Sequence, residues 1–259
     1  MATPETDRGI NIKTLSCKSP ENNEELVNLL DNYFGRVRKK SLIVLPEYFI
    51  HGEQPFGGRS IDDTMVTTLL NFSETKNAHI VAGMIEQTDS GDKYVTGLFI
   101  SPSGLIDTQR KSTPTSFEKL SGIVAGYNFP RTLKLENSLG TLSIVMCIES
   151  FRLDQQLRGL TSDIFVNPRG FDLDDPKIGY LRKNWLLQNR DLAMMGKRYV
   201  VGATGFGGQS GSLAEIIDFE GNILKSTLKP DKVVSAFANF QLLKEYREGK
   251  YKSKIVPHF

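Results

Sequence analysis

Three reactive side chains each follow an apolar, strand-like run. Glu47 comes after Ser41-Leu42-Ile43-Val44-Leu45 and Pro46, Lys111 after residues 105–110, and Cys147 after Leu142-Ser143-Ile144-Val145-Met146. The three types make a consistent chemical set. A thiolate is a strong nucleophile, and a base must take the thiol's proton to form it. His51, His79 and His258 are the only histidines, so a carboxylate is the base this sequence offers. A nearby ammonium would stabilise both the thiolate and the oxyanion formed when it attacks a carbonyl. Cys17 lies just past the first expected strand and reads as a core thiol.

These residues can meet only if the runs before them lie side by side, because ligand sites in open α/β sheets gather at strand carboxyl ends. The pattern supports that. Strands are expected over 10–15, 41–45, 79–86, 93–101, 105–110, 132–135, 141–146, 163–167, 198–204, 213–218, 223–227 and 233–237. Helices are expected over 20–40, 61–77, 153–161 and 180–197. Ser19 is the expected cap of the first helix, with Leu26, Leu29, Leu30, Tyr33 and Phe34 on its apolar face. Strands alternating with helices indicate an α/β fold. Tight turns such as Pro102-Ser103-Gly104 and Asn137-Ser138-Leu139-Gly140 pair neighbouring strands, so the sheets should be mixed.

The chain has 259 residues, 39% of them hydrophobic, enough for one large core. No linker or internal repeat divides it, and residues 1–259 read as one domain with a basic, partly helical tail over 240–259. Lys plus Arg number 32 against 30 for Asp plus Glu. That balance gives no electrostatic case for nucleic acid or an anionic membrane as partner. Cys17 and Cys147 lie far apart, which argues against a disulfide framework. The spacing of the histidines fits neither a zinc site nor a Ser-His-Asp hydrolase. The first residues, Met1-Ala2-Thr3-Pro4-Glu5-Thr6-Asp7, do not look like a signal peptide, and the apolar runs are strand-length. A soluble, cytoplasmic protein is expected. The glycine-rich stretches Phe56-Gly57-Gly58 and Gly205-Phe206-Gly207-Gly208 lack the strand-to-helix context of a phosphate cradle and read as loops.

The motifs around these residues resemble the nitrilase superfamily of carbon-nitrogen hydrolases. Leu45-Pro46-Glu47-Tyr48 is similar to its Pro-Glu motif, Gln109-Arg110-Lys111 to its Arg-Lys motif, and Val145-Met146-Cys147-Ile148-Glu149 to its Cys-x-acid motif. Gly83-Met84-Ile85-Glu86, the set Trp185, Arg190 and Ala193, and Ser212 with Ile216-Ile217-Asp218 and Gly221 resemble further segments in the same order. The chain departs from the pattern at Phe151-Arg152-Leu153, Tyr94-Val95 and Gln109.

The resemblance implies an αββα sandwich of two mixed sheets in a single domain, with protomers pairing through helices into a homodimer or higher homo-oligomer. It implies hydrolysis of a small linear amide or N-carbamoyl compound by a Glu47-Lys111-Cys147 triad, with no cofactor or metal. Glu118 matches the superfamily's second active-site glutamate, with neighbouring Glu149 as a residue that could hold a similar network. The Ile148 N–H would join Lys111 in the oxyanion hole. Tyr48, Arg169 and Phe171 are the remaining substrate-contact candidates. Arg169 reads equally as a clamp for a substrate carboxylate and as a solvated loop residue, and Trp185 reads as a packing residue. Two other functions fit the same motifs, a non-catalytic scaffold of this fold and a glutaminase subunit feeding ammonia to a separate synthetase.

Overall fold

Short runs that are buried on both faces form the centre of the molecule. In β2 (Ser41–Val44) and in β9 (Tyr199–Gly205) every residue is buried, as expected where a strand has neighbours on both sides and layers above and below. The fold is that of a computed structural model, which describes residues 9–51, 56–127, 129–152, 157, 159–170, 178–205 and 213–251.

The first sheet contains β1 (Gly9–Ser16), β2, β3 (Ala78–Gln87), β4 (Lys93–Ser101), β5 (Gly104–Arg110) and β12 (Lys232–Asn239), in the order β12-β1-β2-β3-β4-β5. The second contains β6 (Leu133–Lys134), β7 (Thr141–Ile144), β8 (Ile164–Gly170), β9, β10 (Ala214–Ile217) and β11 (Ile223–Thr227), in the order β11-β10-β9-β8-β7-β6. Three adjacent strands are parallel in each, β1-β2-β3 and β7-β8-β9, and the flanking pairs are antiparallel. Both sheets are therefore mixed, as the turns indicated.

The sheets face each other through one apolar core. Ile12, Leu42, Val44 and Val81 from the first meet Leu142, Ile144, Val166 and Val201 from the second. The outer face of the first sheet packs under α1 (Asn23–Phe34) and α2 (Thr64–Lys76), through Leu26, Leu30 and Phe34 on Ile43 and Ile80. On the second, Val145, Phe165 and Val200 pack with Leu192 and Ala193 of α5 (Ile178–Gly196). The layers are thus α, β, β, α. Smaller helices are α3 (Ser116–Leu120), α4 (Glu149–Arg152) and α6 (Phe240–Arg247).

Two expectations shift. Asn22, not Ser19, caps α1, its side chain accepting from the Glu25 N–H at 3.0 Å. Ser19 instead donates to the Tyr48 carbonyl at 2.6 Å, because the chain there runs along the segment that follows β2. The helix ends at Gly35, short of the basic run 36–40. Most of the helix expected over 153–161, together with 206–208 and 252–259, lies outside the described residues. Among the described residues no helix is long and apolar enough to cross a membrane.

Candidate active site

Each reactive residue is delivered by the carboxyl end of a strand, with a local device that fixes it. Beyond β2, the Leu45 N–H donates to Val81 O at 2.8 Å and Pro46 O accepts from the Gly83 N–H at 2.8 Å. That draws the Glu47 backbone against β3 so closely that a Cβ on Gly83 would lie 1.9 Å from Glu47 O. Only glycine fits there. Beyond β5, Lys111 N–H donates to Val95 O at 2.8 Å. The preceding Arg110 is held by two bonds to Glu86, at 2.9 and 2.6 Å, over the Tyr94 ring. Beyond β7, Cys147 N–H donates to Pro168 O at 2.9 Å, and Cys147 itself has φ of +45°. A non-glycine residue in the left-handed region costs on the order of 1–3 kcal/mol and persists where the surroundings over-determine it. Here the chain turns sharply from β7 into α4, with Glu149 N–H donating to Met146 O and Ser150 N–H to Cys147 O.

These ends converge. Lys111 Nζ donates to Glu47 Oε1 at 2.8 Å and to Glu118 Oε1 and Oε2 at 2.7 and 3.0 Å, all three side chains being fully buried. Glu47 Oε2 accepts from the Gly170 N–H at 2.9 Å. Glu118 is fixed by its place in α3, where it and Thr115 form a reciprocal capping pair. Tyr48 Oη donates to Glu118 Oε1 at 2.5 Å. The Tyr48 ring lies against Gly170 and edge-on to Phe56. Cys147 Sγ stands 4.0 Å from the carbonyl of Gly170, the same residue whose N–H binds the Glu47 carboxyl. The Ile148 N–H donates to no backbone carbonyl among the described residues.

The electrostatics follow from burying three charges with a thiol. Burial works against the Lys111 ammonium, but Glu47, Cys147 and Glu118 outweigh it and hold its pKa above the ordinary value. Burial also opposes Glu118 ionisation, yet Lys111 and the bonds it accepts bring its pKa below normal. Glu118 is thus the counter-charge of Lys111. Glu47 is pushed up to about 7, mainly by burial, with Lys111 opposing. Burial and the Glu47 charge push the Cys147 thiol up as well. The arrangement is a neutral thiol beside a carboxyl that titrates near neutral pH, which suits concerted proton transfer.

Glu149 does not compete with Glu118. Its Oε1 accepts from Ser112 N–H and Oγ at 2.6 and 2.8 Å, and Oε2 accepts from Met146 N–H at 3.0 Å. It ties the segment after Lys111 to the Cys147 turn, a role that spacing alone does not reveal. Arg169 is a correction to the reading as a solvated loop residue, since it is fully buried. Residues 167–170 continue β8, and the fully buried guanidinium donates to Glu215 Oε2 at 2.6 Å. Phe171 and Ser212 lie outside the described residues. Trp185 is buried against Cys147 and edge-on to Phe151, a packing residue as expected. Cys17 is buried and its thiol is pushed up by that burial.

Residues 10–248 match the sequence model of the carbon-nitrogen hydrolases. A nitrilase of Bradyrhizobium diazoefficiens is 27% identical over 191 residues, covering 62% of this chain, and the chain spans 55% of the length of that curated relative. Among solved structures, a CN-hydrolase superfamily protein of Xanthomonas campestris superposes with a TM-score of 0.77 at 16% identity, covering 96% of this chain and 99% of its own. An amidase from Nesterenkonia sp. AN1 in complex with acrylamide gives 0.71 at 14%, covering 96% and 98%.

Proposed function

The chain belongs to the carbon-nitrogen hydrolase family, and on that premise we propose that it hydrolyses a small linear amide or N-carbamoyl compound through a thioester on Cys147. The observation that carries the reading is the Glu47 carboxyl, held by Lys111 and the Gly170 N–H, on the same residue whose carbonyl faces the Cys147 thiol. Glu47 takes the thiol proton as Sγ attacks the carbonyl carbon. The negative charge that develops on the carbonyl oxygen is met by Lys111 and the Ile148 N–H. As the tetrahedral intermediate collapses, Glu47 returns its proton to the departing nitrogen, and ammonia or an amine leaves. Glu47, again ionised, then takes a proton from water. The resulting hydroxide equivalent attacks the thioester, and the acid departs as the proton returns to Sγ. Glu118 keeps Lys111 charged throughout.

The same groups would serve a nitrile, which adds the thiolate across its carbon-nitrogen triple bond. The sequence relationship to a nitrilase favours keeping that reading second. The reading includes self-association through the helical face, supported by Tyr180, Leu187 and Met195, which are exposed on α5. Light scattering at micromolar concentration should show a dimer or larger species, and a single monomer peak would remove this part.

The test is ammonia release from a panel of small amides, ureido acids and nitriles, run on the wild type and on Cys147→Ala. Release by the wild type alone supports the hydrolase and identifies its substrate class. Silence on every compound would favour the scaffold reading instead.

A further inference from the structure

Three consecutive residues at the end of β8 bond both reacting residues through their backbone, and the last of them, Gly170, meets both side chains. Pro168 O accepts from Cys147 N–H at 2.9 Å, and Arg169 O accepts from Glu47 N–H at 3.4 Å. Gly170 N–H donates to Glu47 Oε2 at 2.9 Å, and Gly170 O faces Cys147 Sγ at 4.0 Å. The relative position of nucleophile and base is therefore set by where this short segment lies.

Its one large side chain is anchored on the far side of the sheet. Arg169 Nη2 donates to Glu215 Oε2 at 2.6 Å and to Leu213 O at 3.3 Å. Asn189, on α5, donates to Glu215 Oε1 at 2.7 Å. Room for the pair exists because position 202 is glycine, where a Cβ would stand 2.2 Å from Glu215 and 2.3 Å from Arg169. Yet the pair is poorly satisfied. Among the described residues, Arg169 Nε and Nη1 have no hydrogen-bond partner, and neither do the Asn167 amide atoms nor Thr204 Oγ1. By the register, Asn167 and Thr204 share that face of β8 and β9. A buried ion pair with orphaned donors is a weak source of stability, and well-packed apolar residues in its place are often neutral or better. Features that break local rules at a cost in stability concentrate at functional sites.

We propose that Arg169 is a positioning residue: its buried pair with Glu215 pins the Pro168-Arg169-Gly170 strand end and so fixes Glu47 and Cys147 relative to each other. The proposal rests on the assignment of those two residues as base and nucleophile. It assigns the cost of the pair to geometry rather than to folding.

The test compares wild type, Arg169→Met, the double variant Arg169→Met/Glu215→Leu, and Arg169→Lys. Each is followed by melting temperature, kcat and KM on the best amide, and the rate at which iodoacetamide alkylates Cys147. The double variant should melt at or above the wild-type temperature while kcat falls on the order of 10- to 100-fold. KM should stay within about twofold, and alkylation should slow in parallel with kcat. Arg169→Lys, which keeps the charge facing Glu215, should recover part of the loss. Should Arg169→Met alone fail to fold, the double variant still decides, because it leaves no unpaired buried carboxylate. Wild-type kcat and alkylation in the double variant would overturn the proposal, and so would a double variant that does not fold, since the pair would then serve stability. If the wild type turns over nothing in the panel, the hydrolase reading fails and the alkylation rates alone decide the pin.

Discussion

At the carboxyl ends of β2, β5 and β7 the charges of Glu47, Lys111 and the adjoining Glu118 are sealed from water. At the opposite pole Arg247 and Asp163 pair at 2.6 Å with side chains 31% and 19% exposed. The far pair is ordinary structural chemistry. Asp163 just precedes β8 and accepts from Thr141 at the start of β7, while Arg247 of α6 also donates to Ser162 O. Water can replace either partner there. In the sealed cluster it cannot, so losing one member strands a charge. On the proposed chemistry, that difference separates residues that hold the sandwich together from residues arranged to react. The variants below widen or close the gap between the two poles.

Cys147→Ala should abolish turnover, by on the order of 10⁴-fold or more in kcat, with little change in melting temperature. Lys111→Met should lower kcat about 10²- to 10³-fold. It should also destabilise the fold by about 3–5 kcal/mol, read by denaturant titration, because Glu47 and Glu118 would remain buried without their cation. Gly83→Ala forces a Cβ into the Glu47 backbone. It should cost about 1–3 kcal/mol and weaken activity beyond what stability explains, since it moves the base. At the far pole, Arg247→Ala should cost at most about 1 kcal/mol and leave kcat unchanged. A large activity loss there would close the distinction between the poles.

The raised Glu47 pKa predicts two further signs. Only ionised Glu47 can take the thiol proton, so kcat/KM should fall as pH drops through about 7. Stability should move the other way. Between the ordinary value of 4.5 and about 7 the folded chain holds a proton that the unfolded chain has lost. The melting temperature contribution from this group therefore declines as pH rises through that window. Glu47→Gln should remove both slopes.

The convergence of Glu47, Lys111 and Cys147 was legible because each follows an apolar run, and strand ends are where such folds place their ligands. Lys111 shows this well, since nothing but the ladder of β5 carries it inward. The layering was legible from the same alternation of strands and helices. Arg169 was not, because Pro168-Arg169-Gly170 reads as a loop after the strand expected to end at Asn167. Proline rarely continues a ladder, yet β9 pairs with β8 through Gly170. Whether an arginine in such a segment faces water or Glu215 depends on the glycine at 202, a residue on another strand. Glu149 was opaque for a similar reason, as its partners Ser112 and Met146 are brought to it by two different sheets. The cap at Asn22 was missed because Ser19 is drawn off to Tyr48, a contact 29 residues away in sequence.

The most direct test of Glu47 as the base for Cys147 needs no substrate. The rate of Cys147 alkylation by iodoacetamide, measured across pH in wild type and Glu47→Gln, isolates the proton transfer itself. In the wild type the rate should climb through about pH 7 and level off, while Glu47→Gln should react slowly until far more alkaline pH. Superimposable profiles for the two proteins would contradict the pairing of base and nucleophile on which the proposed chemistry stands.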